Sequence, residues 1–162
     1  MNPSSEKFIQ MIKHPVKFRM FLFWKLPAAF FSGVRIKEID EGRCVVTVPY
    51  KWLTQNPFRS TYFASLAMAA EMSTGALGMM YTQKRTPAIS MLITNMEASY
   101  FKKATGKTFF VCEAGKQIHD AIENSIVTGE SKSIVAKSTG TNKNGDVVAE
   151  FLFTWSFKVK VK

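Results

Sequence analysis

Residues 56–81, NPFRSTYFASLAMAAEMSTGALGMMY, decide the fold. No Gly or Pro interrupts Phe58–Thr74, and the run is rich in Ala, Leu and Met, all strong helix formers, so the stretch predicts a helix. Asn56 can cap it with Pro57 at the first helical position, and Ser60 or Thr61 would equally cap a helix that begins four residues later. Ala64, Leu66, Ala67, Met68, Ala70, Met72, Ala76, Leu77 and Met79 point in all directions, so the helix has no water-facing side and other structure must enclose it. One acid, Glu71, lies within the run. A transmembrane span needs a similar length, but an acid at mid-span costs about 2.5–3.5 kcal/mol on insertion, and Ser65, Ser73, Thr74 and two glycines weaken a span further. The stretch therefore reads as a buried helix with one ionisable group inside it.

Upstream, residues 6–31 form a basic, aromatic-rich arm that reads as two short helical pieces, broken at Pro15 and ended near Pro27. Its Phe and Trp content is too high for a free tail. The arm is expected to pack on the domain or on a partner subunit, with membrane-surface contact the lesser use. Residues 33–39 and 43–50 then read as a hairpin around Asp40-Glu41-Gly42. Downstream of Thr86-Pro87 the chain turns to β character. Ala88–Phe101, Thr108–Ile118, Ser125–Ser138 and Asp146–Val161 read as strands, divided by Thr105-Gly106, by His119–Asn124 and by Asn142–Gly145. In the last of them Val147, Ala149, Phe151, Phe153, Trp155, Phe157, Val159 and Val161 occupy every odd position, giving one buried and one wet face. An antiparallel sheet curled around the apolar helix satisfies both patterns, an α+β class with a helical arm at 1–32 and one domain at 33–162.

Composition narrows function. A chain of 162 residues that is 46% hydrophobic can bury one sizeable core. Cys44 and Cys112 lack the close pairing of metal sites or disulfide frameworks and read as buried thiols. His14 and His119 are isolated, so neither is assigned to a metal. The net charge of +10 points to an anionic partner, but the cations are scattered without a nucleic-acid signature, which argues against nucleic acid and leaves acidic lipid or a phosphorylated group such as coenzyme A. No secretory signal is visible, and a cytoplasmic protein is expected.

With the helix, the strand order, the Asn56–Glu71 spacing of fifteen residues and the segment MEASYFKKATGKTFFVCEAG at 96–115, the sequence resembles the hotdog-fold acyl-CoA thioesterase superfamily, and more narrowly a hotdog family catalogued as a domain of unknown function. The resemblance spans roughly 33–161. In one large thioesterase branch an Asn, a His-Gly-Gly at the helix start and an acid two turns in form the site. Asn56 matches the Asn and Glu71 the acid, whereas Tyr62, Phe63 and Ala64 stand at the His-Gly-Gly positions. The resemblance implies catalytic roles for Glu71 and Asn56, and substrate contacts at Tyr62, Phe63 and Thr74. It also implies that Lys102 and Lys103 meet the phosphates of coenzyme A, which enters as part of the substrate; no separate cofactor or metal is expected.

Part of this follows from the residues alone. Thioester hydrolysis needs donors aimed at a developing oxyanion and a base or nucleophile near the carbonyl carbon; a helix amino terminus supplies the first and a desolvated carboxylate such as Glu71 the second, in either role. Phe63 and Glu71 are eight residues apart, about 12 Å along a helix, so one chain cannot complete a thioester site. Two helices antiparallel across a two-fold axis can, and a homodimer or dimer of dimers is expected. The alternative is a non-catalytic acyl-CoA or fatty-acid binder, favoured by the bulk of Tyr62 and Phe63. A hotdog dehydratase, which pairs an acid with a His, is disfavoured because neither histidine is near the helix motif. Glu71 also has a purely structural reading as a hydrogen-bonded core acid, and Asn56 one as a cap.

Overall fold

The structure, a computed structural model, describes residues 3–160; Met1 and Asn2 of the expected arm and Val161 and Lys162 at the end of the expected last strand lie outside the described residues. The arm contains three helices rather than two: α1 (Pro3–Lys13), α2 (Pro15–Lys25) and α3 (Pro27–Ser32). Each opens on a proline, whose fixed φ and missing N–H suit a first helical turn, so Pro27 starts a helix where one was expected to end. Gly33, at φ 77°, closes α3 in the left-handed region.

Strands β1 (Arg35–Ile39) and β2 (Cys44–Val48) form the expected hairpin. Asp40 shapes its turn by accepting the N–H groups of Gly42 and Arg43, each at 2.8 Å, on one carboxylate oxygen. A 3₁₀ turn at Trp52–Thr54 leads to the central helix α4 (Phe63–Thr82). Strands β3 (Ile89–Tyr100) and β4 (Thr108–Cys112) follow, then helix α5 (Gly115–Thr128), then β5 (Lys132–Thr141) and β6 (Val147–Val159).

Helix α5 corrects the reading of 108–118 and 125–138 as strands divided by a loop. Ile118, Ala121, Ile122 and Ser125 are all buried, a spacing of three, four and seven residues that lays one helical stripe on the sheet. Lys116, Gln117, Asp120 and Glu123 lie off that stripe and suit the wet face.

The six strands form one antiparallel sheet in the order β1-β2-β4-β5-β6-β3. Helix α4 touches all six, and α5 lies beside it against β5 and β6. This is the hotdog arrangement. Along β6 the side chains of Ala149, Phe151, Phe153, Trp155 and Phe157 are buried as the alternation predicts. Val147 departs from it: the register slips between Gly140 and Thr141, so Val148 is buried and Val147 faces solvent. Each large apolar side chain sequestered here contributes about 1.5–3 kcal/mol, and Phe110, Phe151, Phe153, Leu77 and Met80 form the centre of that core.

Two features of this frame position the site. Helix α4 is sealed from Met72 to Gly78, but Ala64, Ala67, Met68 and Glu71 form a half-buried stripe along its amino-terminal half. The expectation that no side faces water therefore holds for only part of its length. Strand β3 pairs with β6 along one edge, and its other edge is the rim of the sheet. Among the described residues, no helix is long and apolar enough to cross a membrane.

Candidate active site at the start of the central helix

The chain enters α4 through a loop built on Asn56. Its side-chain oxygen accepts the N–H of Phe58 at 3.0 Å and both the N–H and hydroxyl of Ser60 at 3.2 Å. Its own N–H donates to the Ser60 carbonyl, and the Arg59 N–H donates to the Asn56 carbonyl, with Arg59 at φ 58°. Asn56 thus folds a tight turn instead of capping the helix. Ser60 and Thr61 do not cap it either. Thr61 donates its N–H and its hydroxyl to the Ala104 carbonyl, at 2.8 and 3.0 Å, and the Tyr62 N–H donates to the Thr54 carbonyl. These bonds hold the loop between the 3₁₀ turn and the segment after β3.

Helix α4 consequently begins at Phe63 with no side-chain cap on its first turn. Uncapped N–H groups and the positive end of the helix dipole face a cleft of about 550 Å³. Asn56, Phe58, Tyr62 and Phe63 line one side and Tyr100, Phe101, Lys102 and Lys103 the other. The rings of Tyr62 and Phe63 meet edge to face with centroids 4.8 Å apart, and both are exposed. Lys102 pairs with Asp146 at 3.1 Å. Five of the expected site residues, Asn56, Tyr62, Phe63, Lys102 and Lys103, are thus brought together. Phe58, Tyr100 and Phe101 join them, and their signal in the sequence was apolar bulk at loop and strand-end positions.

Glu71 is outside this cleft, two turns along the open stripe of α4. Its carboxylate lies over Gly75, where an added Cβ would sit 2.7 Å from Glu71 Oε1. Among the described residues no hydrogen bond or ion pair reaches that carboxylate, and burial pushes its pKa above the ordinary carboxylate value. Thr74 is fully buried. Its hydroxyl donates to the Glu71 carbonyl at 2.9 Å and accepts the Trp155 indole N–H at 2.9 Å, so it ties α4 to β6 and faces the sheet rather than the cleft. Ser73 is likewise spent inside, donating to the Ala70 carbonyl and bonding Ser138 at 2.7 Å.

The far end of α4 has a different character. Tyr81 stacks edge to face on His119, His119 lies between Asp120 and Glu123, and Arg85 binds Glu123 through both nitrogens at 2.7 and 2.8 Å. Among the described residues, no His, Cys, Asp and Glu side chains are grouped so as to hold a metal ion.

A family described as Domain of unknown function (DUF4442) matches residues 17–157. The chain belongs to that family. No curated protein matches it. Solved structures do. A Pseudomonas aeruginosa protein described as a probable thioesterase superposes with a TM-score of 0.76 at 18% identity, over 90% of this chain and 97% of that one. A Chlorobaculum tepidum protein of unknown function gives 0.75 at 18% identity, over 96% and 94%. A Haemophilus influenzae thioesterase gives 0.63 at 11% identity, over 90% and 91%. At these identities the likeness establishes the fold: this DUF4442 chain has the hotdog architecture of thioesterases.

Proposed function

We propose that the protein hydrolyses acyl thioesters, with acyl-CoA the leading substrate class, at a site completed by a second copy of the chain. The observation that carries this reading is Glu71, an acid without a partner group among the described residues, desolvated, and set on the half-buried stripe of a helix whose uncapped start adjoins a cleft with two lysines. A buried structural acid would be hydrogen-bonded; this one is held ready for a proton.

In the reaction, Glu71 takes a proton from water as the water oxygen bonds to the thioester carbonyl carbon. The developing oxyanion is stabilised by the N–H groups at the start of α4. The C–S bond then breaks, and the proton on Glu71 passes to the departing thiolate, which leaves an acid and a thiol. Since Glu71 and Phe63 are about 12 Å apart on one helix, the acid and the oxyanion donors that act on one carbonyl come from different copies. Two features support such pairing: the open stripe Ala64–Ala67–Met68–Glu71, and the unpaired twelve-residue edge of β3, along which Leu92, Met96 and Tyr100 are exposed. Lys102 and Lys103 are suited to the coenzyme's phosphates. Asn56 acts as a positioning residue by fixing the loop that presents Tyr62 and Phe63.

The two aromatic rings at the helix start favour a second reading, a binder that holds an acyl thioester without cleaving it. Free-thiol release from acyl-CoAs of graded chain length, run beside equilibrium binding of the same panel, separates the two. Turnover on at least one chain length is expected. Binding without release across the whole panel would select the binder.

A further inference from the structure

We propose that the outer face of the α2–α3 arm docks the protein on a bilayer surface that carries anionic phospholipid. This is independent of the hydrolysis proposed above.

Helix α2 buries only Phe18 and Leu22 fully. At about 100° per residue, Val16, Met20, Phe23 and Trp24 fall on the opposite side, and they are 59%, 57%, 44% and 74% exposed. A helix held to its own core by Phe18 and Leu22, with Phe21 partly buried beside them, thus turns a second apolar stripe outward. Lys17 and Arg19 flank that stripe on its two sides. The stripe continues beyond α2. Phe31 of α3 is exposed, and the neighbouring 3₁₀ turn adds Trp52 at 79% exposure, with Lys51 donating to the Phe31 carbonyl at 2.9 Å to join the two. Between α2 and α3 lies an apolar groove of about 310 Å³, in which Arg19, stacked over Phe30 at 5.3 Å, is the one polar side chain.

Charge selects the occupant. Lys17 and Arg19 flank the stripe, Lys51 adjoins it at Phe31, and α2 and α3 carry no acid. A second copy meeting this face across a two-fold axis would set those cations against themselves. An anionic surface complements them. The pattern of Trp, Phe and Met pointing outward between flanking Lys and Arg is that of helices that lie in the headgroup region, where the rings enter the acyl boundary and the cations reach phosphate. Helices of eleven residues are too short to span, so the arm would lie flat. An acidic protein would match the charge but leaves the protruding rings without a complementary surface.

The test is co-sedimentation of the full chain with vesicles of phosphatidylcholine alone or mixed with phosphatidylglycerol. Intrinsic tryptophan emission is recorded on the same samples. Wild type is expected to bind the mixed vesicles roughly tenfold or more tightly than the neutral ones, with salt weakening the preference. Its emission should shift to the blue as exposed Trp24 and Trp52 leave water. The variant Val16→Ser/Met20→Ser/Trp24→Ser should lose most binding to both vesicle types. Lys17→Glu/Arg19→Glu should lose the preference for phosphatidylglycerol. All the changed side chains are exposed, and circular dichroism checks that each variant is folded; Val135→Ser, an exposed apolar residue on the sheet, should bind as wild type does. No sedimentation of wild type with either vesicle overturns the proposal, as does a triple-Ser variant that binds unchanged. Binding of wild type to polyglutamate but not to vesicles would assign the face to an acidic protein instead.

Discussion

The two ends of α4 are built from similar materials and put to opposite use. At its carboxyl end the ionisable groups are matched: Arg85 with Glu123, His119 with Asp120 and Glu123, and the Tyr81 hydroxyl donating to the Glu41 carbonyl at 2.8 Å. The arm is tied to this end of the helix, with Ser5 donating to the Met80 carbonyl. At the amino end, the helix start is uncapped, the rings of Tyr62 and Phe63 are exposed, and Glu71 has a desolvated carboxylate with no partner group among the described residues. Matched charges brace a structure. An unmatched, desolvated one costs stability, and a fold that retains it there has an acid free to move a proton.

The sharpest way to break this contrast is to neutralise each end in turn. Glu71→Gln keeps shape and removes the proposed base, so turnover is expected to fall on the order of a hundredfold or more with substrate binding retained. The pH dependence of stability should also change. Glu71 titrates higher in the folded than in the unfolded chain, so wild type loses stability as pH rises from the ordinary carboxylate range through the raised folded value. The Gln variant should lose that slope and be the more stable protein near neutrality, which denaturant unfolding across pH measures. Glu123 runs the other way. The Arg85 hydrogen bond, with Arg85 and His119 charge behind it, holds its pKa below the usual value, so its contribution is present above the ordinary carboxylate pKa and fades as pH falls.

Gly75→Ala comes next in size. The new Cβ would meet Glu71 Oε1 at 2.7 Å and must push the carboxylate aside, while the neighbouring Trp155 ring at 3.4 Å needs little adjustment. Activity should drop roughly tenfold through misplacement of the base. Helix propensity gained from Ala should leave stability level or raise it by up to about 1 kcal/mol. A variant that loses activity only by unfolding would show that Gly75 serves packing.

Arg85→Ala should produce the converse result, a loss of roughly 1 kcal/mol in denaturant unfolding with the rate per folded molecule unchanged. The smallest effect is expected from Lys102→Ala/Lys103→Ala. Both lysines are exposed, so a severalfold rise in KM for acyl-CoA, larger at low salt, is the expected outcome. Equal KM values across salt would place the coenzyme elsewhere.

The elements that could be read from sequence are those whose pattern is long and local. The apolar run of α4 and the alternation of β6 each extend over a dozen residues or more, and both were visible. Helix α5 was hidden because it follows the strand-like TFFVC and because its buried residues show a helical period only when Ile118 is counted with Ala121 and Ile122 instead of with β4. The sequence leaves the start of α4 open between Pro57 and a position about four residues later, and the later one is near the observed Phe63. The observed start is set by the bonds from Thr61 to Ala104 and from Tyr62 to Thr54, one of which spans 43 residues. In the site, Glu71 was legible as the one acid in an apolar run. The contact between its carboxylate and Gly75, and the diversion of Thr74 to Trp155, depend on side-chain direction, which spacing alone does not specify.

Mixing two variants tests whether acid and oxyanion donors come from different copies. Phe63→Pro removes the first N–H of α4 at a position where proline is tolerated and where Tyr62, at ψ 135°, already has the conformation that precedes proline. Alone, Phe63→Pro and Glu71→Gln should each be depleted in activity. After the two are unfolded, mixed in equal amounts and refolded, about half the dimers are hybrids, and in each hybrid one of the two sites holds an intact Glu71 facing an intact helix start. Recovery of about a quarter of wild-type turnover is expected if the site is shared; no recovery above the separate variants, with hybrids shown to form, would contradict a shared site.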